Sequence, residues 1–208
     1  MQVVPGQRSN EEQVRATALR RLNAEAMMAQ SAAPELVGLV GYPQATFVPG
    51  RGSMMPRVAF VAESPSSKDA THRAPLCGAA GRLFDRLLFG IGLTRNDVYV
   101  THLVPWLPPT NRETTLQERT VCSGWLRREL ALLGRPPVVL LGRGVSEFLL
   151  LRPYANLLGE WAYSPVLRSH CLSVRHPAYG VYQEKNIEAM TRQYRAILDA
   201  EAAHNATF

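Results

Sequence analysis

Four short apolar runs set the terms for what this chain can fold into: Val58-Ala59-Phe60-Val61-Ala62, Asp97-Val98-Tyr99-Val100-Thr101, Pro137-Val138-Val139-Leu140-Leu141 and His170-Cys171-Leu172-Ser173-Val174. Each has the length and apolar content of a strand buried on both faces. Segments of helical period separate them. Strands alternating with helices are joined by crossovers, which align the strands in parallel and place helices on both sides of the sheet. The expected fold is α/β, a three-layer sandwich around a central four-stranded parallel sheet.

The helical segments follow from spacing and caps. Ser9-Asn10-Glu11-Glu12 reads as a capping box that starts a helix running to about Gln30, with Val14, Leu19, Leu22 and Ala26 near one face. Its arginines, Arg15, Arg20 and Arg21, read first as a solvated face and second as a nucleic-acid patch. Residues 31–57 are rich in proline and glycine and form a connector, with a short strand expected at Ala45-Thr46-Phe47-Val48. Residues 1–56 are thus a helix and loop-rich extension packed on the core, and residues 57–208 the α/β domain. Further helices are expected from about Ala79 to Gly90, from Leu116 to Leu133, after Gly142-Arg143-Gly144, and from Lys185 to about Ala203. Glu63 to Asp69 reads as a polar loop in which Pro65 stops the first strand. Leu103 to Arg112 is too rich in proline for regular structure.

Composition narrows the partners. A net charge of +6 and a pI near 9.6 lean towards a polyanion, with nucleic acid first among the candidates. No apolar stretch reaches the length of a membrane span, and the N-terminus lacks a signal pattern, so a cytoplasmic, membrane-free setting is expected. Cys77, Cys122 and Cys171 are three cysteines without a C-x-x-C pair, neither a disulfide framework nor, by themselves, a metal site.

Three of the four strand ends carry a residue fit for acid–base or hydrogen-bonding work: Glu63, His102 and His176. In a parallel sheet these ends share one rim, where open α/β sheets bind their ligands. Glu63 alone reads equally well as a turn cap, and each histidine alone as a packed residue. Three together on one rim point to a site.

On these residues the chain resembles the uracil-DNA glycosylase superfamily, most of all its family 4, whose members usually carry an iron–sulfur cluster. That family's first motif, G-E-A-P-G, then an acidic residue, then G-x-P-F-V-G-x-A-G, is matched by Ala62-Glu63-Ser64-Pro65-Ser66, Asp69 and Arg73-Ala74-Pro75-Leu76-Cys77-Gly78-Ala79-Ala80-Gly81. The second, N-V-V-K-C-R-P-P-x-N-R with a downstream Glu, is matched by His102 through Arg112 and Glu118. The H-P-S motif is matched by His176-Pro177-Ala178, and the strand-end l-G by Leu141-Gly142. Order and spacing hold from about residue 57 to 198.

The resemblance implies a DNA glycosylase that flips a base and hydrolyses its N-glycosidic bond. His176 would donate a hydrogen bond to the departing base, and Glu63 or Asp69 would position water or stabilise the cationic sugar. Leu76, His102, Ser64 and Pro65 would surround the base. Lys68, Arg73, Arg112, Arg143 and Arg175 are candidates for phosphate contacts or for structural salt bridges. Tyr179 or Tyr182 is the candidate wedge for the vacated stack. Two departures matter. Leu76 replaces the family's stacking Phe, and His102 its base-reading Asn, so altered base specificity is expected. Only Cys122 falls on a cluster-cysteine position and Trp106 occupies another, so the cluster is expected to be lost and no cofactor is needed. DNA is the expected partner of a monomer. A non-catalytic protein that binds DNA or a modified base on the same fold is the alternative reading, and a different reaction on a modified base is a third.

Overall fold

The computed structural model describes residues 5–30, 46–182 and 186–205. Strands β1 (Arg51–Gly52), β2 (Val58–Ala62), β3 (Val98–His102), β4 (Val138–Leu141), β5 (Trp161–Ser164) and β6 (Ser169–Val174) form one sheet in the order β1-β3-β2-β4-β6-β5. β3, β2, β4 and β6 are the four apolar runs and lie parallel. The other two strands lie antiparallel at the edges, so the sheet has six strands where four were expected. The sequence signal for a doubly buried strand does not reach them: β1 spans two exposed residues, and β5 alternates between buried and more exposed positions.

Along β2 the side chains alternate between two cores. Ala59 and Val61 join Leu126 and Leu130 of α4 (Leu116–Leu132) and Val145 and Leu149 of α5 (Arg143–Leu150). Val58, Phe60 and Ala62 join Phe84 and Leu88 of α3 (Ala79–Phe89) and Tyr194 and Ile197 of α7 (Ile187–Asn205). Two apolar faces sandwiched by helices explain why the strand sequence is apolar throughout.

Helix α1 (Pro5–Gln30) starts before the Ser9 box, which therefore lies inside the helix. Proline is well suited to a first helical turn, where its missing N–H costs nothing. Leu19, Leu22 and Ala26 are buried, whereas Val14 is exposed, five residues before Leu19 and well around the helix from the apolar stripe. In the segment read as a polar loop, Ser67–His72 forms α2, capped by Ser66. The proline-rich stretch contains one 3-10 turn, Pro109–Asn111. A further short helix, α6 (Ala178–Tyr182), follows the His176-Pro177 turn. Of the short strand expected at 45–48, Phe47 makes a single bridge to Trp106, and Ala45 lies outside the described residues, as do Lys185 and most of the connector.

Under β3, the buried Glu129 of α4 accepts hydrogen bonds from Tyr99 (2.8 Å) and Thr101 (3.0 Å). Burial pushes its carboxyl up to about 7 from an ordinary 4.5, against the pull of those two bonds. The fold accommodates the protonated form, so this contribution to stability is whole below the ordinary value and is lost as pH rises through 7. Glu129→Gln removes the titration and keeps the shape. Relative to the parent protein it should gain about 2–3 kcal/mol between about pH 5 and pH 8, read from urea midpoints. A difference independent of pH would show that Glu129 does not titrate in that range.

Candidate active site

The parallel register pairs Ala62 with His102 and Leu141 with Val174, which sets Glu63, His102, Gly142 and His176 along the carboxyl rim of the sheet. Gly142 has φ 101°, and a β-carbon there would meet the His176 β-carbon at 3.2 Å. Only glycine allows the chain to turn that closely into α5.

His176 Nδ1 accepts the Ala178 backbone N–H at 3.1 Å, which leaves the proton of the neutral ring on Nε2. Desolvation pushes the imidazole down to about 4, against the opposing pull of the Asp69 charge. His102 is 2 % exposed and is likewise pushed down to about 4 by desolvation, with Asp69 opposing and His176 adding to the depression. Its Nδ1 is buried without a hydrogen-bond partner. The mutual influence of these groups places Asp69, His102 and His176 in one neighbourhood, with two neutral imidazoles at neutral pH.

Both Asp69 oxygens are engaged. Oδ2 accepts the Ser66 N–H and hydroxyl at 2.9 and 2.8 Å, and Oδ1 accepts the Cys77 N–H at 2.6 Å. The carboxylate thus ties the start of α2 to the turn before α3. That turn holds Leu76 at φ 53°, a left-handed conformation costing about 1–2 kcal/mol for a residue with a β-carbon. Arg95 braces it by donating to the Pro75 and Leu76 carbonyls at 3.3 and 3.0 Å, while its guanidinium lies 4.8 Å from the Phe84 ring centre.

Glu63 has two partners that the sequence reading did not identify. Its Oε1 accepts from the Thr114 hydroxyl at 2.6 Å and from Arg119 at 2.7 Å. Nothing in the sequence distinguishes Arg119 from the other arginines of α4. Arg95 was equally hidden. The capping box Ser66-x-x-Asp69 is a recognisable signal and would have located α2.

Ser64, Pro65, Lys68, Asn111 and Arg112 line an open cleft of about 400 Å³. Lys68 is exposed. Arg112 grips the buried Glu118 through two bonds of 2.9 and 2.5 Å. Burial raises Glu118, but the bonds from Arg112 and Thr115 overcome it and hold the carboxyl below its ordinary value. Arg112 is therefore part of a structural ion pair. Arg73 is exposed at the left-handed end of α2. Arg143 is exposed at the start of α5 and lies 3.6 Å from Glu147. Arg175 packs over the Tyr179 ring at 5.3 Å, and Tyr179 is 43 % exposed. The Tyr182 side chain lies outside the described residues.

Trp106 is fully buried between Phe47 and Trp125, with ring centres 5.2 and 5.7 Å away. Cys122 is buried nearby, and burial drives its thiol far above the ordinary value. Among the described residues no group of three or more His, Cys, Asp or Glu could hold a metal ion. With three cysteines in the whole chain, a cluster held by four thiolates does not fit this site. Among the described residues no helix is long and apolar enough to cross a membrane.

A family model for the uracil DNA glycosylase superfamily matches residues 49–199. The type-4 uracil-DNA glycosylase of Archaeoglobus fulgidus is 37% identical over 103 residues, 50% of this chain and 52% of that protein. The type-4 enzyme of Saccharolobus solfataricus is 35% identical over 103 residues, 49% of this chain and 48% of its own. That of Thermotoga maritima is 33% identical over 101 residues, 49% and 53%. The chain spans about half the length of the curated relatives it matches.

With both rim imidazoles depressed to about 4, their ring nitrogen resonances should remain those of neutral imidazole from about pH 8 down to about pH 5. Protonation of either near pH 6.5 would show that desolvation does not govern the rim.

Proposed function

The chain belongs to the uracil-DNA glycosylase superfamily, and from that premise we propose that it is a DNA glycosylase whose pocket prefers a damaged or modified base other than uracil. The observation that carries the reading is His176. Its Nδ1 is occupied by Ala178, so a neutral ring keeps its proton on Nε2, a donor held on the carboxyl rim of the sheet. A flipped base leaves with the electron pair of its N-glycosidic bond, and a preplaced donor stabilises that developing negative charge. Water adds to the sugar carbon and its proton ends on the released base, leaving an abasic site. In this reading Glu63 faces the sugar and water, and Asp69 holds the start of α2 against the turn before α3.

The pocket supports a changed preference. Leu76 supplies contact area without a π face, and His102 offers its two ring nitrogens on opposite sides, so it cannot grip one base edge with a paired donor and acceptor. Exposed Lys68, Arg73 and Arg143, together with Arg175 over the Tyr179 ring, are the phosphate candidates left after Arg112 is assigned to Glu118. Tyr179, exposed beside Arg175, is the candidate wedge. In this reading the protein acts on DNA as a monomer in the cytoplasm. The same two pocket residues favour a second reading, a protein that binds a flipped base without cutting it.

Oligonucleotides carrying uracil, hypoxanthine, xanthine or 5-substituted pyrimidines separate the two. Base release that falls about 100- to 1,000-fold in His176→Ala, and comparably in Glu63→Ala, establishes the enzyme. Tight binding to one base without release establishes the binder. We further propose that no iron–sulfur cluster is carried, because Trp106 and its aromatic neighbours occupy a cluster-ligand position. Purified protein should contain no stoichiometric iron and show no visible charge-transfer absorbance. One cluster per chain would overturn that proposal.

A further inference from the structure

The surroundings of Glu63 carry an assignment that rests on the glycosylase reading and goes beyond it. Three hydrogen bonds close a ring around one oxygen. Thr114 donates to Glu63 Oε1 at 2.6 Å, Arg119 donates to the same Oε1 at 2.7 Å, and Arg119 Nε donates to the Thr114 hydroxyl oxygen at 2.7 Å. The ion pair is mostly shielded, with the Arg119 side chain 19% exposed and that of Glu63 25%. An arginine this far withdrawn from solvent, with two of its nitrogens committed, is poorly placed to serve as a phosphate contact.

The other oxygen faces the start of α5. A β-carbon on Gly144 would fall 1.9 Å from Glu63 Oε2 and 2.7 Å from its carboxyl carbon. The backbone of Gly144 is outside the left-handed region, so glycine is not needed there for conformation. It is needed for room. Alanine is also the better helix former, so this position gives up helix propensity where the carboxylate has to fit.

We propose that Arg119, Thr114 and Gly144 are positioning residues for Glu63. Arg119 and Thr114 anchor Oε1, and Gly144 leaves the space in which Oε2 is presented to the sugar and the attacking water. A carboxylate fixed in advance needs no reorganisation when the sugar becomes cationic, and a misplacement of about 1 Å is enough to cost two orders of magnitude in rate.

The test uses the full chain and a duplex carrying a base that the parent protein releases. Arg119→Met and Gly144→Ala should each lower kcat about 10- to 100-fold with KM changed less than about 2-fold. Arg119→Lys should recover part of the loss, since an ammonium restores the charge without the second bond to Thr114. Thr114→Ser should stay near the parent, and Thr114→Val should fall with Arg119→Met. Gly144→Ala keeps the test decisive if the arginine variants fail to fold. A rise in KM and a shallower salt dependence at unchanged kcat would make Arg119 a phosphate contact and overturn the proposal. So would an active protein indifferent to Gly144→Ala.

If the parent releases no base from any duplex, the glycosylase reading fails, and positioning is read instead from binding. The probe is DNA carrying a cationic pyrrolidine abasic analogue, used in a double-mutant cycle of Glu63→Gln with Arg119→Met. Non-additivity above about 5-fold sustains the positioning assignment, and additive losses overturn it.

Discussion

The buried carboxylate of Asp69 is the interaction on which the rim depends. It accepts three hydrogen bonds, two from Ser66 and one from Cys77, at 4 % exposure. Those bonds begin α2, fix the turn before α3, and so determine where Leu76 lies. Its negative charge also opposes the desolvation of both His102 and His176. One group therefore sets the geometry of the loop and biases the electrostatics of the two strand ends facing it. Removing it would leave part-buried backbone donors unpaired as well as altering charge, a larger loss than that of one surface acid.

The left-handed Leu76 shows how strain is carried at this rim. A residue with a β-carbon resists φ 53°, and two neighbours overrule that resistance. Arg95 takes the carbonyls of residues 75 and 76, and Gly81 admits the Leu76 carbonyl where a β-carbon would be 1.8 Å from it. The leucine is thereby held in place by groups outside the pocket. Its own side chain is buried and joins the apolar core that contains Phe60 and Phe84.

Much of this was legible in the chain itself. The four parallel strands and their polar ends came from apolar runs of strand length bounded by turn residues, because strands buried on both faces read as short, nearly continuous apolar runs. Membership of the superfamily was legible in the motifs around Glu63, Asp69 and His176-Pro177. The edges were not, since β1 is two exposed residues and β5 alternates buried with more exposed positions, so neither carries that pattern. Neither was the start of α1, which lies at Pro5, upstream of the Ser9 box. At the site, the residues that follow strands directly were readable, while their partners were not. Arg119 lies 56 positions from Glu63, and Arg95 lies 19 and 20 positions from the carbonyls it holds. Such pairings are made by the fold, and one sequence carries no trace of them.

The edge-to-face cluster of Phe47, Trp106 and Trp125 ties residues 46–48 to the loop after β3, where Val48 also donates to the Pro105 carbonyl at 2.8 Å. Fasteners made of rings differ in kind from those made of bonds to a metal. They assemble as the chain collapses, need no delivery from outside, and release nothing reactive when they open. They also loosen on cooling, as apolar contacts do. The grip of these rings on the loop is therefore set by temperature and solvent.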